Sequence, residues 1–204
     1  MQIPSDDTIT VQSMTRDPYS VYKRLRASAP VAYAPALKRT LITKACDTRA
    51  IKDNPVLFSS NDPTTPMERA FEAHTLMRKD GEEHMRERQA MMPTFAPKAI
   101  KSHWIPLYKS YASEYLDRLP KGEVVDLFQT LAGPLAARIL GDMMGIPDAS
   151  DTDLQDWSQA LIDGAGNFGY FDEPFERSAR ANADINRTIA NNIQRVKAAP
   201  DYSA

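Results

Sequence analysis

The sequence predicts a mainly α-helical protein with one small β-hairpin. Apolar residues recur at three- and four-residue steps over long stretches, the period of a helix with one face turned inward. Only one pair of short runs, Val31 to Pro35 and Thr40 to Lys44, reads as strands joined by a turn. Fifteen prolines mark many of the boundaries between these elements.

Residues 1 to 16 read as an irregular lead-in. Asp17-Pro18 starts a helix, with a capping side chain followed by proline at the first helical position. Val21, Tyr22 and Leu25 form its apolar stripe, Lys23, Arg24 and Arg26 face water, and it ends before Pro30. The hairpin follows, then a short helix from about Ala45 to Asp53, stopped by Asn54-Pro55. Asn61 to Lys79 begins polar and becomes helical around Met67 to Met77. On the residues alone it is a surface loop folding Met67, Phe71 and Leu76 back on the core.

Asp80 opens the most informative stretch. It is placed to cap a helix whose first turn is acidic, and Pro93 closes that helix. His84 and Arg88, four residues apart, project from one helical face. Two hydrogen-bond donors on one rigid face can grip an anionic group, and a solvated face is the plain alternative.

From Lys98 to Leu119 a stripe of Ile100, Trp104, Leu107, Tyr108, Tyr111, Tyr115 and Leu116 reads as core, with a kink or break at Pro106. Val124 to Leu127 is an extended approach to the next helix, which Gly145 caps in the left-handed conformation and Pro147 blocks. Ser150 caps a helix to about Asp163 with Leu154, Trp157, Leu161 and Ile162 on one side. Gly164 to Phe171 reads as a glycine-rich break carrying three aromatics. It lacks the G-x-x-x-x-G-K-[ST] pattern of a phosphate loop. Pro174 opens a long helix with Phe175, Ile185, Ile189, Ile193 and Val196 in step.

Composition excludes several classes. Of the 204 residues 42% are hydrophobic and 25% charged, which is ordinary for a globular protein with a real core. A net charge of −2 argues against nucleic-acid binding. No apolar run approaches the ~20 residues that span a bilayer, and Met1 to Asp7 has neither the basic flank nor the apolar core of a signal peptide. The one cysteine rules out an internal disulfide, and a cytoplasmic location is expected. His74, His84 and His103 lie ten and nineteen residues apart without an H-E-x-x-H pattern, so a metal hydrolase is not indicated.

Asp80-Gly81, His84, Arg88, Pro93, Phe95 and Pro97, in this order and spacing, resemble the C-helix region of soluble bacterial cytochrome P450s. Asp126-Leu127-Phe128, Pro134-Leu135, Ile139-Leu140 and Met143 to Pro147 resemble the E-helix of the same family, with two methionines replacing its usual leucines. The order helix, hairpin, short helix, Phe58-Ser59-Ser60 resembles the family's start. The resemblance implies the N-terminal part of the P450 fold, helices A to G, with an incomplete core and no domain boundary within residues 1–204. It implies heme b, with His84 and Arg88 on a haem propionate. It also implies a substrate pocket roofed by Met67 and Phe71, and a lid loop bearing Phe168 and Tyr170. The implied reaction inserts one atom of O2 into a small organic substrate, with electrons from NAD(P)H relayed by a ferredoxin-type or other reductase, for which Arg86, Lys98 and Lys101 supply positive charge.

No residue is assigned a catalytic or metal-ligating role. Cys46 lacks the Phe-x-x-Gly-x-x-x-Cys-x-Gly surroundings of the axial ligand and reads as a small buried hydrophobe. Glu83 and Arg86 spell Glu-x-x-Arg by coincidence, inside the wrong helix. The oxygen-activating helix and the thiolate loop are not found, and Pro200 to Ala204 falls where the family approaches its H helix, so the resemblance spans about the first half of a P450. The competing function is a haem-free helical module that binds a partner or an apolar ligand.

Overall fold

The computed structural model describes residues 3–199, divided in sequence between Ser60 and Asn61 into two compact units. Pro200 to Ala204, where the approach to an H helix was expected, lies outside the described residues.

Capping side chains set the first unit. Thr10 and Ser13 form a reciprocal capping box that starts α1 (Val11–Arg16). Asp17 accepts from the amides of Tyr19 and Ser20 at the start of α2 (Pro18–Ser28), with Pro18 at the first helical position as the sequence predicts. Strands β1 (Val31–Ala34) and β2 (Arg39–Ile42) pair antiparallel, Val31 opposite Ile42 and Ala34 opposite Arg39. The turn between them runs through a 3-10 segment, Pro35–Leu37, and Lys38 at φ 52°. Ile9, Leu25, Ala32 and Ala34 are buried together, with Met14, Val21 and Leu41 against them.

Residues 1 to 16 are therefore not an irregular lead-in over their described part. Ile9 is fully buried, Tyr33 donates to the Pro4 carbonyl at 2.8 Å, and Asp6 ion-pairs with Arg24. Helix α3 (Ala45–Lys52) buries none of its residues, and Cys46 on it is exposed rather than the buried hydrophobe expected.

The second unit is organised on α9 (Asp151–Ala165). Against it pack α4 (Pro66–Phe71), α8 (Gly133–Met143) and α10 (Asp172–Ala198). Ser150 and Asp153 form a second capping box at its start. On the α8 side, Ala137, Ile146, Ala149 and Leu154 make one cluster with Trp157 and Ile189. Helix α8 ends as predicted. Gly145 sits at φ 65°, and the amides of Gly145 and Ile146 return to the carbonyls of Asp142 and Gly141, the two bonds of a Schellman cap.

On the other side the packing is made by small residues. Gly164 lies inside α9, not at the head of a break, because α4 and α10 close on it. A Cβ there would sit 2.9 Å from Ala70 Cβ and 2.9 Å from Ser178 Oγ. Buried Asn182 ties the layers by donating to the Ala70 carbonyl at 2.8 Å.

Between α4 and α8 run α5 (Gly81–Met91), a 3-10 turn Met92–Phe95, α6 (Pro97–Ala99), a π-helical turn Ile100–Trp104 and α7 (Ile105–Asp117). A second π-helical turn, Phe128–Ala132, leads into α8. Each π turn shortly precedes a proline, Pro106 or Pro134, whose missing N–H leaves a helix carbonyl unpaired and favours a shifted ladder. The break expected at Pro106 thus takes the form of a wide turn.

The expected core stripe is only partly buried. Tyr115 is the one residue of α7 that is buried, while Ile100 and Leu116 are exposed. Ile162 of α9 and Ile193 and Val196 of α10 are likewise exposed. Where α4 and α10 close on α9 the contacts are held by Ala70, Gly164 and Ser178, and among the described residues many large apolar side chains lie open. No helix among these residues is long and apolar enough to cross a membrane.

Candidate functional site

Helix α5 carries the two predicted donors. Gly81 starts it at φ 62°, a left-handed conformation that glycine adopts without strain, which explains the Asp-Gly pair in the motif. Asp80 occupies the cap position, but its side chain does not take the first-turn amides as expected. Lys79, just before the helix, bonds Glu83 at 2.8 Å and Glu87 at 2.5 Å. The Lys79 ammonium holds the Glu83 carboxyl below its ordinary pKa, and the two glutamates raise that of Lys79.

Glu83 and Glu87 are thus drawn to one flank, and His84 and Arg88 stand on the neighbouring one. His84 is half-buried and Arg88 exposed. The side chain of neither makes a hydrogen bond, ion pair or ring contact with another described residue. The α5 donor set, an imidazole and a guanidinium one turn apart, fits a carboxylate group such as a haem propionate. The segment after α5 is fixed separately, because Trp104 Nε1 donates to the Thr94 carbonyl at 2.9 Å.

The four predicted substrate residues divide into two pairs. Met67 and Phe71 share a face of α4 and are half-buried. Phe168 and Tyr170 lie in the loop between α9 and α10 and are exposed, Phe168 at 60%. Tyr170 reaches the first pair's neighbourhood, its hydroxyl donating to the Thr64 carbonyl just before α4. A groove of about 730 Å³ lies elsewhere, lined by Tyr115, Phe128, Leu140, Gln155 and Ile162, and none of the six candidate residues borders it. Among the described residues no group of three His, Cys, Asp or Glu side chains could hold a metal ion.

A polar cluster that the sequence did not suggest joins α7, α8 and α9. Arg138 lies between two carboxylates, with Nη1 3.6 Å from Asp151 and Nη2 3.8 Å from Asp142. At those lengths the pairs are charge contacts rather than hydrogen bonds, and Nε and Nη2 are buried without a hydrogen-bond partner. Tyr111 donates to Asp142 at 2.5 Å and Tyr115 donates to Asp151. The signal was present as Tyr111/Tyr115 and Arg138/Asp142, each four apart, but nothing in sequence aligns the two helices.

Burial, and then the bond to Asp151, push the Tyr115 hydroxyl up to about 12. A folded-state pKa above the ordinary 10.0 means that the protonated phenol stabilises the fold below pH 10. The contribution is lost as pH rises from about 10 to about 12 and amounts to about 2 kcal/mol. Urea midpoints at pH 9 and pH 11.5 should fall steeply in the unaltered protein and less in Tyr115→Phe.

No family model matches the chain. Cytochrome P450 109 of Bacillus spizizenii is 27% identical over 148 residues, 72% of this chain and 35% of that protein. Cytochrome P450(MEG) of Priestia megaterium is 22% identical over 200 residues, 90% of this chain and 46% of that protein. The chain therefore spans less than half the length of these curated relatives. Among solved structures, P450BioI in complex with hexadec-9Z-enoic acid ligated acyl carrier protein matches with a TM-score of 0.74 at 19% identity, covering 95% of this chain and 52% of that one. Substrate-free CYP109E1 from Bacillus megaterium matches at 0.73 and 21%, covering 91% and 49%. The chain is related in sequence to the bacterial cytochrome P450s and takes the N-terminal part of their fold.

Proposed function

We propose that this chain is the N-terminal half of a haem-thiolate monooxygenase that inserts one atom of O2 into a small organic substrate. The observation that carries the reading is the pair His84 and Arg88, one turn apart on α5, clear of the Lys79–Glu83–Glu87 flank and without protein partners among the described residues. When bound, the haem supplies the iron at which oxygen is activated. The chain's own part is to hold the propionate edge by two donors, one of them permanently charged. Cys46 is exposed at the start of α3 and is given no axial role. Both units belong, on this reading, to one domain.

Met67 and Phe71 would border the substrate, with Phe168 and Tyr170 on the loop that lids it. Arg86, Lys98 and Lys101 are exposed and would face a ferredoxin-type or other donor relaying electrons from NAD(P)H. A cytoplasmic location accompanies this assignment.

In the haem-loaded protein, replacing His84 and Arg88 together by alanine should speed haem loss about tenfold or more, since charge-assisted hydrogen bonds contribute roughly 1.5–3 kcal/mol each and Arg88 is exposed. Transfer of haem to an apoprotein acceptor reads this directly. Unchanged retention would refute the grip.

A second reading, a haem-free helical module, draws on the open apolar side chains Phe128, Leu140 and Ile162 along the 730 Å³ groove. A monomeric, cooperatively folded chain that takes up no haem would favour it.

A further inference from the structure

A row of aromatic rings along α7 ends on two carboxylates. Trp104, Tyr108, Tyr111 and Tyr115 follow at steps of four, three and four, so each neighbours the next along the helix surface. The Trp104 and Tyr108 rings stack with centroids 5.9 Å apart and an interplanar angle of 29°. The exposed His103 ring meets Trp104 edge-on, with centroids 4.6 Å apart. Tyr111 and Tyr115 donate their hydroxyls to Asp142 and Asp151, the former at 2.5 Å. Only Tyr115 of the row is buried, so core packing accounts for one ring of the four.

The two ends of the row handle a proton differently. The Trp104 indole N–H donates to the Thr94 carbonyl at 2.9 Å. A carbonyl accepts that hydrogen bond but does not take the proton at neutral pH, so an indole that loses an electron stays a cation and stays strongly oxidising. The Tyr108 hydroxyl has no hydrogen-bond partner among the described residues, and burial, then the Asp142 charge, hold its proton on. Tyr111 and Tyr115 differ in having a carboxylate as acceptor, and a carboxylate can take the proton as the phenol is oxidised. Oxidising charge that enters at Trp104 therefore comes to rest, as a neutral tyrosyl radical, beside the acids.

We infer that this row is a one-electron relay, running from Trp104 past the stacked Tyr108 ring to Tyr111 and Tyr115, with Asp142 and Asp151 as the proton acceptors. Trp104 gives one electron to a one-electron oxidant stronger than indole. Tyr111 returns one electron to Trp104 while its O–H bond breaks and the proton passes to Asp142. The indole is restored, and one tyrosyl radical and one protonated carboxyl remain until a reductant such as ascorbate supplies the electron and the proton returns. The inference goes beyond the proposed function, because it gives a surplus oxidising equivalent a resting place among this chain's own residues. It requires no haem for its test.

A photo-oxidant fixed at one end decides it. A polypyridyl metal complex is bound to His103 in the purified chain carrying His74→Gln and His84→Gln, and a flash with a soluble electron acceptor turns it into the one-electron oxidant. Transient absorption should show the indolyl band giving way to a tyrosyl band, and the conversion should slow in heavy water because an O–H bond breaks in that step. Tyr111→Phe together with Tyr115→Phe, which keeps all four rings, should lose the tyrosyl band. In a Tyr115→Phe background, Asp142→Asn, which keeps the shape and removes the base, should slow the conversion about a hundredfold. An indolyl radical that persists in the parent chain, a tyrosyl band that survives the paired phenylalanine variant, or a conversion as fast without the Asp142 base would overturn the relay and leave the His84–Arg88 assignment untouched.

Discussion

Gly164→Ala is expected to lower folding stability by about 1–3 kcal/mol, and Gly164→Leu by more than about 4. The added methyl meets Ala70 Cβ and Ser178 Oγ at 2.9 Å and Ser178 Cβ at 3.0 Å. Two of those atoms ride directly on helix backbones, so α4 and α10 must both withdraw. Alanine is the better helix former by about 1 kcal/mol, which offsets part of the loss and makes the sign a real test. Urea unfolding followed by helical circular dichroism measures the effect. Ser178→Gly in the Gly164→Ala background should recover part of it, since the two sites share one contact. Equal or greater stability for Gly164→Ala would mean that the helices are not this close.

Arg138→Met should cost about 2–4 kcal/mol. It leaves Asp142 and Asp151 facing each other across α8 and α9 with only Tyr111 and Tyr115 as donors. Removing one member of a largely buried charge cluster exposes the cost of burying the rest. The Arg138 side chain keeps 18% exposure, which holds the expected loss below that of a fully enclosed pair. Combining Arg138→Met with Asp142→Asn should cost less than the sum of the two, and unfolding midpoints of the four proteins test it.

Local chemistry was legible in the sequence wherever one or two residues decide the outcome. Asp17-Pro18, the Ser150 cap and the Gly145-Ile146-Pro147 stop fall where they were read. The helix bearing His84 and Arg88 also has the bounds its flanking residues suggest. What escaped depends on partners far along the chain. Gly164 looks like a loop residue until Ala70 and Ser178, distant in sequence, are brought against it. The start of α1 was missed because a six-residue helix gives no periodicity and its box uses serine rather than glutamate. Burial was overestimated for Ile100 and Leu116, since a helical stripe tells which face is apolar but not whether anything covers it. His84 and Arg88 were singled out by spacing alone, whereas the pairing of Glu83 and Glu87 with Lys79 depends on a residue outside the helix.

The wide turn at Ile100–Trp104 fixes the phase between two halves of a helical run. Its Ile105 amide reaches back five residues to the Ile100 carbonyl. Deleting a single residue there would restore ordinary four-residue spacing and rotate everything on one side by about 100°. Trp104 would swing off the Thr94 carbonyl, and Tyr111 and Tyr115 would turn away from their carboxylates. A surplus of one amino acid thus aims two distant sets of side chains at once, so length in this stretch is constrained more tightly than residue identity.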